Sequence, residues 1–241
     1  MLPSYFIAHG SPMLALENNE YTQFINQLGQ TLPRPKAIIL FSAHWEAPFQ
    51  KVSDVDTYDM IYDFGGFDPA LSRIKYPAHG NQQISQEIKD LFAENGVHYE
   101  VESKRGLDHG AWVVFRLLFP NAEIPVIAMS VNPNLSPVEQ YKIGKALSCL
   151  RANDVLIIGS GGTVHNLRIL KWADNGQNDQ WALEFDDWLA HHLYKWDLDS
   201  LFNYHSLAPN AEFAVPPYGK EHFVPLFYAM GAADDEQKAT L

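Results

Sequence analysis

Short apolar runs that break off at polar residues punctuate the chain: Tyr5 to Ala8, Ala37 to Phe41, Ile124 to Ser130 and Val155 to Ile158. Rich in β-branched residues and bounded by Pro, Gly or charge, they read as buried strands. Between them the apolar period lengthens to that of a helix. Tyr21, Phe24, Ile25 and Leu28 share one face from Glu20 to Leu32, where Pro33 stops the pattern. Ile84, Ile88, Leu91 and Phe92 do the same from Asn81 to Asn95, with Gly96 placed to cap the end. Val97 to Glu102 alternates like a strand, and the apolar helix Val113 to Phe119 is closed by Pro120. Ser136-Pro137-Val138-Glu139 carries both a capping box and a proline at the first helical position.

Strands alternating with helices predict an α/β fold: one domain over residues 1–241, with a central mostly parallel or mixed sheet flanked by helices. The first two strands, joined by one helical crossover, are expected to be parallel and adjacent, with their carboxyl ends on one edge. Trp181, Phe185, Trp188, Leu189, His192, Leu193 and Trp196 form the stripe of a later amphipathic helix, which makes His191 and His192 packing residues. Tyr58 to Gly80 is aromatic, punctuated by Gly and Pro, and without a sustained period. It is expected to be a long ordered loop, either covering a sheet edge or walling a pocket. The segment Ala232 to Lys238 reads as a frayed end.

Composition narrows the partners. A net charge of −12 opposes binding to nucleic acid or an anionic membrane, and 46% hydrophobic residues suffice for a full core. No secretory pattern or bilayer-length apolar run is present, so a cytoplasmic location is expected. The single cysteine, Cys149, falls in a helical pattern and reads as a buried small hydrophobe.

The chemistry collects where strands end. His9, His44 and His165 each follow an apolar strand, the edge on which open α/β sheets bind ligands. His109 sits at a helix start, and Glu221 and His222 are placed in the first turn of a short C-terminal helix. The loop Gly159-Ser160-Gly161-Gly162 lets backbone approach closely, but lacks the Lys-Ser/Thr of a phosphate cradle and the glycine spacing of a nucleophile elbow. Neutral imidazoles converging from rigid elements suit a metal ion, and His9, His44 and His222 meet that demand.

In combination, Ala8-His9-Gly10-Ser11-Pro12, Ser42-Ala43-His44-Trp45, Tyr62-Asp63-Phe64-Gly65-Gly66-Phe67, Asp108-His109-Gly110, Gly159 to Asn166 and Glu221-His222-Phe223-Val224-Pro225-Leu226 resemble a known family. It is the extradiol ring-opening dioxygenases of the protocatechuate 4,5-dioxygenase large-subunit type, in particular the DOPA 4,5-dioxygenase branch. The resemblance implies a non-haem iron(II) held by His9, His44 and a third ligand near the carboxyl end. Other members use a glutamate there; here the position reads His222, with Glu221 beside it. By the same resemblance His165 is the acid/base and a potential fourth ligand, His109 touches substrate or oxygen, and Phe64, Phe67 and Tyr218 contact the ring. The implied partners are a small catecholic substrate and O2, in a monomer or homodimer. An all-histidine site also suits zinc. Two other readings remain: a zinc hydrolase using the same histidines, and a non-catalytic metal-binding protein.

Overall fold

The computed structural model describes residues 1–170 and 178–241. Its centre is β2 (Ala37–Glu46), whose residues from Ala37 through Ala43 are all buried, as expected of a strand covered on both faces. Six strands form one sheet in the order β1 (Ser4–Ala8), β6 (Val155–Gly161), β2, β5 (Val126–Val131), β3 (Gln50–Ser53), β4 (Tyr99–Glu102). β1, β6, β2 and β5 run parallel, β3 meets β5 antiparallel, and β4 is parallel to β3. The result is the α/β fold with a mixed sheet.

The expected adjacency of β1 and β2 does not hold. β6, arriving from more than a hundred residues later, is inserted between them. The crossover rule governs handedness and direction, not whether a later strand takes the space between. The register keeps the outcome usable, since Ile7 and Ser42 both pair with Ser160. His9 and His44, two residues beyond each, therefore emerge level and on one face.

Helices cover both faces. On one, α1 (Glu20–Thr31) and α3 (His109–Leu118) pack Ile25, Trp112 and Phe115 over Ile38, Leu40, Leu156 and Ile158. On the other, α2 (Gln82–Glu94), α4 (Pro137–Lys145) and α9 (Pro225–Ala232) bring Ile84, Ile88, Ile143 and Tyr228 against Ile39, Phe41 and Ile157. An outer layer of α5 (Gln180–Tyr194), α6 (Leu198–Phe202), α7 (Tyr204–Leu207) and α8 (Ala211–Ala214) closes on α9 through Phe185, Tyr204, Phe223 and Phe227. The Ser136/Glu139 capping box is present at α4, and Asn19 with Thr22 forms another at α1. No helix among the described residues is long and apolar enough to cross a membrane.

Several local expectations are revised. Cys149 is exposed in a short 3-10 turn, and partial burial raises its thiol pKa, which disfavours the thiolate. Residues 232–238 are pinned: Arg151 forks onto Glu236 at 2.8 and 3.0 Å, and Lys145 reaches Asp234 at 2.6 Å. Glu221 and His222 lie in a turn before α9 rather than in its first turn, because Pro225 starts that helix. His192 is structural as expected, its Nδ1 2.8 Å from the Asp197 carboxylate.

Candidate metal centre

The carboxyl ends of β1, β6 and β2 carry the site. His9, just past β1, donates its backbone N–H to Gly161 O at 3.1 Å, which ties it to β6. His44 is the eighth residue of β2, held by Arg105, whose Nη2 donates to His44 O at 3.0 Å and to Asp108 Oδ2 at 3.1 Å. Asp108 also accepts from Ser42 Oγ at 2.6 Å and caps α3, so β2 and the start of α3 are stitched together. Burial raises the Asp108 pKa against the pull of these donors.

His222 arrives by a different device. A Cβ on Gly161 would stand 2.0 Å from His222 O, and one on Gly159 would stand 2.2 Å from Pro225 O. Only glycine lets the segment lie directly on β6, and Gly162 N–H then donates to His222 O at 2.8 Å. The glycine-rich loop thus makes room for the backbone of His222, the residue on whose ring His165 stacks.

The three Nε2 atoms converge. That of His44 is 3.1 Å from that of His9 and 3.2 Å from that of His222. Atoms ligating one ion at ~2.1 Å, about 90–110° apart, stand roughly 3.0–3.4 Å from each other. The opposite ring nitrogens are engaged elsewhere. His9 Nδ1 is 2.9 Å from Ser160 Oγ, which spends its only proton on Gly110 O at 2.6 Å and so must accept from His9. His222 Nδ1 donates to Glu221 Oε1 at 3.0 Å, and His44 Nδ1 is 3.3 Å from Asp63 Oδ2. With the protons on Nδ1, three Nε2 lone pairs face one another, an arrangement suited to a cation among them. The residues present therefore fit a resident metal ion.

Electrostatics agree. Burial, reinforced by the neighbouring imidazoles, takes His9 well below the ordinary histidine range and His44 down to about 3. His222 is likewise lowered by burial, against the opposing pull of Glu221. All three are neutral at physiological pH, the form that ligates. Asp63 and Glu221 would be raised by burial, yet both are lowered because histidine N–H groups bond to them.

The other sequence-predicted residues take distinct places. His165 lies flat on His222, with ring centroids 3.4 Å apart, and its Nδ1 is 3.3 Å from Glu221 Oε1. It groups with Glu221 and His222, not with the His9, His44 and His222 set. Glu221 faces the Nδ1 side of both rings, behind the lone pairs. His109 opens α3, its Nδ1 2.9 Å from Asp63 Oδ1 and its ring 4.0 Å from that of His44. Phe64 stands edge-on to His109 at 5.7 Å, Phe67 packs on Phe64 at 5.9 Å, and Tyr218 OH is 3.4 Å from Asn166 Oδ1. Sequence reasoning missed Ser160 and Asp63 as orienters. Both stood in motifs already singled out, but nothing in one dimension shows which ring nitrogen they meet.

Comparison with known proteins places this geometry. The family model described as the catalytic LigB subunit of aromatic ring-opening dioxygenase matches residues 3–241. The chain is 38% identical to 4,5-DOPA dioxygenase extradiol of Mirabilis jalapa, over all of this chain and 90% of that protein. It is 40% identical to the protein of that name from Beta vulgaris, over 99% and 89% of the two chains. The Escherichia coli K12 protein of that name is 35% identical, over 100% and 88%. The crystal structure of uncharacterized protein JW3007 from Escherichia coli K12 superposes with a TM-score of 0.81 at 32% identity, covering 96% of this chain and 89% of that one. A histidine-rich, metal-suited site at the strand ends and a match over nearly the whole length say the same thing: the chain belongs to the LigB family of extradiol ring-opening dioxygenases.

Proposed function

We propose that the substrate is a DOPA-like catechol, that O2 is the oxidant, and that iron(II) is held by Nε2 of His9, His44 and His222. The observation that carries this is the convergence of three Nε2 atoms whose Nδ1 partners are hydroxyl or carboxylate oxygens. Bound iron(II) supplies the Lewis acidity and one-electron chemistry needed to join dioxygen to a chelating catechol. Everything else falls to the protein.

His165, with Nδ1 turned toward Glu221, has Nε2 left to take a proton from a catechol hydroxyl and later return it. His109, its Nδ1 proton held by Asp63, offers Nε2 on the α3 side of the site. Phe64 and Phe67 supply an apolar wall that excludes water from a flat ring, and Tyr218 stands beside Asn166, the residue after His165. We take the chain to act as one catalytic domain, cytoplasmic, as a monomer or homodimer.

Zinc suits three neutral imidazoles equally well. The test is anaerobic reconstitution with iron(II) or zinc, followed by exposure of a catechol panel to oxygen. Oxygen uptake and a yellow ring-opened product with iron alone support the proposal. Hydrolytic turnover by the zinc form without oxygen uptake would overturn it.

A further inference from the structure

The substrate reading leaves open what holds a catechol's side chain, and the loop after β6 answers it. Asn166 follows His165 directly. Its amide donates to Phe213 O at 3.0 Å, while its Oδ1 accepts from the Arg168 backbone N–H at 3.2 Å. These bonds fasten residues 165–168 to the segment 213–219. The Arg168 guanidinium lies over the Tyr218 ring, 3.7 Å from its centroid. An aromatic face attracts the cation and fixes the plane of the fork without consuming its N–H donors.

The other cations around the site are occupied or turned elsewhere. Arg105 has its charge paired with Asp108 Oδ2 through Nη2, which also donates to His44 O. Lys220 lines a separate hollow of about 400 Å³ with Gln140, Tyr204 and Phe227. Lys75 bonds the Tyr62 hydroxyl at 3.2 Å. Arg168 has no carboxylate partner among the described residues, although the chain carries 29 acidic residues against 17 basic ones. Its backbone is three residues from His165, at most ~11 Å of chain. A chelated amino-acid catechol extends roughly 8 Å from its ring oxygens to its carboxylate. The exposed Arg168 guanidinium stays near that chain, because the Tyr218 beneath it has its hydroxyl 3.4 Å from Oδ1 of Asn166, the residue after His165.

We propose that Arg168, braced on Tyr218, binds the carboxylate of the substrate's side chain and so selects amino-acid catechols over uncharged ones. This rests on the dioxygenase reading above. A bidentate guanidinium–carboxylate pair combines charge with geometry, whereas an ester offers the fork a neutral carbonyl.

The test compares L-DOPA, its methyl ester and 4-methylcatechol in metal-loaded wild type, Arg168→Gln, Arg168→Lys and Lys75→Met. Anaerobic dissociation constants and aerobic KM and kcat are measured for each. Wild type and Lys75→Met are expected to favour the acid over the ester by about tenfold or more. Arg168→Gln should bring that ratio near one while leaving kcat/KM for 4-methylcatechol within about twofold, and Arg168→Lys should restore part of the preference. An acid-to-ester ratio unchanged in Arg168→Gln, or lost in Lys75→Met instead, overturns the proposal. The anaerobic constants read Arg168 even where oxygen uptake is nil, so failure of the dioxygenase reading is distinguished from failure of this one.

Discussion

Ser160 Oγ accepts the Nδ1 proton of His9 because its own proton goes to Gly110 O, so one hydroxyl decides which nitrogen of His9 faces the metal position. Ser160→Ala removes that decision while keeping the volume nearly constant. The metal dissociation constant is expected to rise about 10–100-fold, with the far-UV spectrum unchanged. Competitive chelator titration checks it, and an affinity within a factor of two of wild type would refute the orienting role.

Metal content and rate should separate in one histidine variant and fall together in another. His44→Ala leaves two Nε2 atoms and is expected to lose the ion to chelators. His165→Ala removes a ring that stacks on His222 without joining the converging set, so it should keep most of the metal and lose about a hundredfold or more in turnover. Metal analysis beside oxygen uptake distinguishes them; stripping of both variants would make His165 a ligand and pass the proton work to His109.

Gly161→Ala should be among the costly single changes near the site. Its new Cβ would sit 2.0 Å from His222 O, forcing the ligand-bearing turn off β6. A loss of about 2–3 kcal/mol is expected in urea unfolding, together with weakened metal binding. Gly65→Ala, where nothing lies within 4 Å of an added Cβ, should leave stability nearly unchanged.

Acid should loosen the C-terminal clasp. Arg151 holds Glu236 below the ordinary carboxylate range, and the Lys145 and Tyr141 donors do the same for Asp234 against a raising effect of burial. A depressed folded pKa means the native state binds fewer protons than the unfolded one. The stabilisation is therefore present above the unfolded value of ~4 and is lost as pH falls through the folded values. The wild-type advantage over an Asp234→Asn/Glu236→Gln variant in thermal unfolding should be steady from about pH 6 to 8 and shrink below about pH 4.

Much of this arrangement is legible in one dimension. Apolar runs ending in His9 and His44 mark the ligand edge, and the Ser136/Glu139 box fixes the start of α4, because those signals depend on near neighbours in sequence. The insertion of β6 between β1 and β2 is not legible, since strand order is decided by packing among distant segments. β3 escaped notice because its four residues pair with β5 only through Val52 and Met129 and carry little pattern of their own. The tail reads as solvent-loving because it is acidic, yet that acidity is what Arg151 and Lys145 grip. In the site, residue types give the candidate ligands, but which ring nitrogen Ser160, Asp63 and Glu221 each meet follows only from the three-dimensional packing.

The positions of His9, His44 and His222 make the site a clasp on chain topology. His44 lies 35 residues from His9 and 178 from His222, so an ion shared by their Nε2 atoms closes two large loops at a single point. Such a cross-link restricts the unfolded chain in the manner of a disulfide, in a protein whose one cysteine cannot form an internal bridge. An ion bound there would also fasten β1, β2 and the turn before α9 to one another, and metal supply would then help to set the stability of the fold.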